Sequence, residues 1–250
     1  MAFMRTSNPT LNDQVFRSER AGFGDAMTVQ GAVNKTGILL LCAIATAAWT
    51  WNLAMHSESP QAVAPLIVLG SIGGLVVALV TVFKKQWSAI TAPLYALLEG
   101  LVLGAVSAIF EVRFPGIAIE AVALTFGTML ILLLAYSTGM IRVSDKFRLG
   151  VVAATGGIAV FYLLTWILSF FHVQLFASVY GSGTIGIAFS VFVVIVAALN
   201  LVLDFDLIEH GAAYGAPKYM EWYSAFALMV TLIWMYFEML RLLSKLRERR

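Results

Sequence analysis

The chain has 250 residues, 60% of them apolar and only 12% charged, with a mean hydropathy of +0.89 and a formal net charge of +2. An ordinary soluble domain carries about 25% charged residues, so a soluble globular fold is excluded: it could not cover its surface, and the surplus apolar area must face lipid. A single cysteine, Cys42, excludes an intramolecular disulfide framework and any cysteine-based metal site.

Residues 1–35 are polar, with Arg5, Arg17 and Arg20, and lack the short apolar core of a cleavable signal. They read as a cytoplasmic N-terminal arm, leaving the first hydrophobic helix as the insertion signal. Apolar runs separated by charged or Pro/Gly punctuation then predict spans at 36–55, 63–83, 88–110, 117–141, 149–171, 183–205 and 222–243. Each is long enough to cross a hydrocarbon core of about 30 Å. None alternates as an outer-membrane strand does. The expected fold is all-α, a polytopic bundle of about seven transmembrane helices over 36–243, followed by a basic tail at 244–250.

The basic residues orient the bundle. With the N-terminus inside, Arg5, Arg17, Arg20, Lys35, Lys84, Lys85, Arg142, Lys146, Arg148 and Lys218 are cytoplasmic, against Arg113 alone in the external loops. This predicts a multi-pass protein of the bacterial inner membrane. The tail residues Arg241, Lys245, Arg247, Arg249 and Arg250 run against the rule. A re-entrant last helix would relieve the conflict, but 222–243 is long enough to span, and a seventh crossing is expected. Gly100 and Gly104 form a small-xxx-small face on the third span, read as internal packing ahead of dimerisation. The oligomeric state is left open.

Ionisable groups inside spans are costly and therefore informative. They are Glu99, Glu120, Asp204, Asp206, Glu209, Glu221 and Glu238, all acids, and no Lys or Arg lies deep enough by this reading to neutralise them. The densest cluster is Asn200, Asp204, Asp206, Glu209 and His210 at the cytoplasmic end of the sixth span. Helical spacing puts Asn200 and Asp204 on one face, with Asp206, Glu209 and His210 on another. The last span adds a stripe of Glu221, Ser224, Thr231 and Glu238, so two adjacent helices make a hydrophilic seam. Plainer readings stand beside these: Asp206, Glu209 and His210 as solvated residues past the helix end, Glu238 as half of a helix-end ion pair with Arg241, and Glu120 at the external interface.

Enzyme chemistry is not expected. The three histidines are scattered, with no HExxH, GxSxG or Walker pattern. Residues two apart on a helix point away from each other, so Asp204 and Asp206 do not make a shared-proton dyad without unwound backbone. No cofactor is expected, and no nucleic acid, because a basic tail at a membrane meets lipid headgroups.

Met27-Thr-Val-Gln-Gly31-Ala-Val-Asn-Lys35-Thr36, Tyr95-Ala-Leu-Leu-Glu99-Gly100-Leu-Val-Leu-Gly104, Asp204-Phe-Asp206 and Met239-Leu-Arg241-Leu-Leu, in that order and spacing, resemble the bacterial YccA-like branch of the Bax inhibitor-1 family over about residues 5–246. The resemblance implies seven helices with the sixth and seventh central, and a pH-sensitive calcium leak. It also implies a gate of two aspartates, one on each of the last two helices. Asp204 matches the first, while the second falls near Thr231, which cannot titrate; Asp206, Glu221, Glu99 and Glu238 are candidate substitutes. Some bacterial relatives are instead linked to restraining a membrane-embedded quality-control protease.

Two function classes follow. The first is a cation leak in which close carboxylates titrate as a coupled set. Once ionised they attract a hard divalent cation through oxygen ligands, with Asp204 and Asp206 as candidate calcium contacts and Asn200, Ser224 and Thr231 as neutral donors. The second is a non-conducting regulator that binds a membrane protease or stress-response partner through the arm.

Overall fold

A computed structural model describes residues 26–57, 63–171 and 177–249. Seven long helices account for most of them: α1 (Val29–His56), α2 (Ala64–Phe83), α3 (Ser88–Arg113), α4 (Ile117–Ser137), α5 (Asp145–Phe170), α6 (Thr184–Ala213) and α7 (Met220–Glu248). All seven are long and apolar enough to cross a membrane, so the chain is an all-α, multi-pass membrane protein. A 3-10 turn, Lys85–Trp87, precedes α3, and one helical turn, Ala177–Tyr180, lies between α5 and α6.

The helices outrun the apolar stretches that predicted them. Helix α1 starts at Val29, not 36, because Thr28 caps it: its Oγ1 accepts from the Gly31 amide at 2.9 Å. Helix α5 starts at Asp145 under a Ser144 cap, and α6 continues past 205 to Ala213. A hydropathy boundary marks where apolar side chains stop, whereas a helix continues while caps and ion pairs satisfy its polar groups. The basic tail is likewise mostly helix, since α7 runs to Glu248.

Helix α7 is the hub. It packs on α1, α3, α4 and α6, while α2 rests chiefly on α3 and α5 chiefly on α6. Of its most apolar 18-residue window 67% is buried, against 11% in α5, which puts α7 in the centre and α5 at the lipid boundary. Large exposed side chains such as Leu41, Phe83, Ile131 and Leu149 coat the outside, as a lipid-facing surface requires.

The two ends of the bundle are fixed by contacts. At one end, Met27 N donates to Ala216 O (2.7 Å) and Ser88 Oγ to Tyr219 O (3.0 Å). At the other, Arg247 donates to Pro115 O (2.6 Å) and pairs with Glu120 (2.7 Å), and Arg113 pairs with Glu248 (2.7 Å). Helix α7 touches both, so it runs unbroken from one end of the bundle to the other. Gly100 and Gly104 serve internal packing. A Cβ at either would stand 2.4 Å from Ala43 O or 2.1 Å from Ala47 O on α1, so the two backbones meet only because side chains are missing there.

Candidate functional site

The acids of α6 and α7 do not form one cluster; each meets its own partner. Asp204 is 2% exposed and meets α7: Thr231 Oγ1 donates to its Oδ2 at 2.6 Å. Thr231 therefore occupies the position facing Asp204, which is where the resemblance places the second gate residue. Asn200, one turn earlier, turns to α5 instead, its Nδ2 donating to Thr155 Oγ1 (2.7 Å) and Val196 O (2.8 Å). The shared face expected of Asn200 and Asp204 thus divides between two neighbouring helices.

Asp206 is buried too, not solvated, and its partner overturns the expectation of an acid-only interior. Arg148, 4% exposed, donates through Nη2 to Asp206 Oδ2 at 2.6 Å. Tyr136 OH bridges Asp206 and Glu209, and His210 Nδ1 lies 3.5 Å from Asp206 Oδ2. The charged run around Arg142 and Lys146 reads as loop, yet Ser144 and Asp145 start a helix there, and the next turn carries Arg148 inward. The N-cap signature of Ser followed by Asp was the available signal. Arg148 Nε and Nη1 have no hydrogen-bond partner among the described residues.

The remaining acids are paired as well. Glu221, fully buried, takes an ion pair from Lys35, another from Lys218 (2.8 Å), and hydrogen bonds from Thr28 N (2.9 Å) and Oγ1 (3.0 Å). These bonds fasten the start of α1 to the start of α7. Glu238 holds Arg241 at 2.8 and 3.0 Å and accepts from Tyr162 OH at 3.1 Å, the helix-end pair weighed from sequence. Lys245, 4% exposed, was not foreseen as interior; it donates to Val179 O, Gly186 O and Ser190 Oγ at 2.8–3.0 Å. Such basic residues sit at helix ends in sequence, and only the packing of those ends turns them inward.

Glu99 differs from all of these. It is half-buried midway along α3, beside Gly74 of α2. Among the described residues, no group of three or more His, Cys, Asp or Glu side chains converges as a metal site would require. Asp204 and Asp206 instead reach different partners, a hydroxyl and a guanidinium.

The family model for Bax inhibitor 1-like proteins matches residues 8–248, nearly the whole chain. The chain belongs to that family. No curated protein matches it.

Proposed function

We propose that this Bax inhibitor 1-like membrane protein is a pH-modulated cation leak, with calcium as a permeant ion, gated by protonation of Asp204. The observation that carries the reading is the 2.6 Å hydrogen bond between Thr231 on α7, the most buried span, and Asp204 on α6. A hydroxyl partner is neutral, so it supports Asp204 as acid or as carboxylate but cancels no charge. Protonated, Asp204 bonds across α6 and α7 without needing a counter-ion, and the seam stays closed. Ionised, it attracts cations, and a hard divalent ion bound through oxygen is the natural one. Asp206 plays a different part: it pairs with Arg148 and so fastens α5 to α6. The distribution of basic residues supports an inner-membrane location with the N-terminus cytoplasmic.

The test is calcium entry into liposomes holding the purified protein, followed from about pH 6 to about pH 8, across which shifted carboxylates titrate. Flux should rise with pH, and Asp204→Asn should flatten the rise. Flux that keeps its full pH response in Asp204→Asn would remove Asp204 from the gate.

The regulator of a membrane protease is the second reading. It is favoured by the closure of Asp206 and Glu238 by Arg148 and Arg241, which leaves less unpaired charge to attract a passing ion. Folded protein without flux at any pH would favour it, and loss of residues 1–25 should then abolish partner binding while sparing the fold.

A further inference from the structure

Glu99 stands at the seam between α2 and α3, and it faces inward. The exposed residues of its helix, Ile90, Leu94 and Leu97, lie on the opposite side, while Ala92, Tyr95 and Ala96 beside it are buried. Its Oε1 is 2.7 Å from where a Cβ would stand at Gly74, and at Gly70 a Cβ would stand 2.6 Å from Leu98 O. Two glycines one turn apart on α2 thus bring its bare backbone against α3, and the second makes the notch that receives the carboxyl group. Nothing in that notch compensates a charge. Helix α2 carries no titratable side chain. Helix α1 presents Ala43, Thr46 and Ala47 to this part of α3. From α7 comes the apolar group of Phe226 and Met229, with Phe226 edge-on to Tyr95 at 4.9 Å. Tyr95, one turn away on α3, brings a neutral phenol. Among the described residues, Glu99 makes no hydrogen bond or ion pair.

An ionised carboxyl group at this depth without a partner costs about 2.5–3.5 kcal/mol on insertion scales. The seam as built suits the neutral acid. We propose that Glu99 is a reversible proton-binding site that controls the docking of α2 on α3. With its proton, the side chain packs against the backbone at Gly74. When the proton leaves to water, the carboxylate must be hydrated. Helix α2, which rests chiefly on α3, is the element free to give way. This site is separate from Asp204 and does not depend on conduction.

The full-length protein in phospholipid liposomes is treated with dicyclohexylcarbodiimide, which adds to protonated carboxyl groups in apolar surroundings, and the adduct is mapped by peptide mass. Glu99 should be modified, several-fold less at about pH 9 than at about pH 6, with no adduct at that position in Glu99→Gln. Docking is read by cysteines at Gly73→Cys and Leu98→Cys in a Cys42→Ser background, since a Cβ at Gly73 would stand 3.3 Å from the Leu98 side chain. As pH rises, disulfide yield should fall relative to the same pair carrying Glu99→Gln. Absence of an adduct on folded protein overturns the proton site. Equal cross-linking with Glu and Gln at every pH overturns the control of docking.

Discussion

Asp204 and Asp206 sit two residues apart on α6, are about equally buried, and have opposite kinds of partner. Asp204 meets the hydroxyl of Thr231 on α7, whereas Asp206 meets the guanidinium of Arg148 on α5. A hydroxyl tolerates either protonation state of its partner, and a buried guanidinium tolerates only the ionised one. Depth alone therefore does not make a buried acid a sensor. What matters is which group meets it: the guanidinium of Arg148 makes Asp206 a fastening between α5 and α6, and the gating proposed above is assigned to Asp204.

The comparison breaks most violently at Arg148. Arg148→Ala leaves Asp206 buried without its cation and should cost about 3–5 kcal/mol, read as a large drop in the thermal midpoint of the detergent-solubilised protein. Pairing it with Asp206→Leu should recover much of that loss, because the desolvation of both charges vanishes together. If the single substitution leaves the midpoint where it was, the pair is not the fastening inferred here. Thr231→Val should cost less, about 1–3 kcal/mol, as the price of a buried acceptor losing its donor. It should also shift the pH response of calcium flux, whereas an unshifted response would separate Thr231 from the gate. Asp204→Asn should be milder still in stability, within about 1 kcal/mol, since the amide oxygen can still accept from Thr231; its effect belongs to flux. A midpoint loss as large as that of Arg148→Ala would mean that Asp204 is structural as well. The smallest effect is expected at Arg113→Ala, whose pair with Glu248 is exposed and worth under about 1 kcal/mol.

The sequence made the seven spans legible because each is a predominantly apolar stretch long enough to cross, and it singled out Asp204 because an acid within such a stretch is expensive. The position of Thr231 opposite Asp204 came from the spacing of a family resemblance, not from any property of threonine. Arg148, Lys245 and the inward turn of Lys35 were missed for a common reason. Each lies within two turns of a helix end, outside the apolar stretch, and its burial depends on which helix packs beside it. Long-range packing leaves no periodicity in the local sequence. Tyr136 and Tyr162 were missed similarly, since an interfacial tyrosine needs no explanation until its hydroxyl is found on a carboxylate.

The central place of α7 has a consequence for biogenesis. The helix that α1, α3, α4 and α6 all pack against is the last of the seven to be synthesised. Until it leaves the ribosome, the earlier helices can be threaded into the bilayer but lack a common surface on which to assemble. Lys35 waits for Glu221, and the carbonyls of Val179 and Gly186 wait for Lys245. Assembly of the bundle is therefore a late event, and a nascent chain stalled before α7 would expose unpaired polar groups within the membrane, the mark by which a cell's insertion and disposal machinery recognises an unfinished protein.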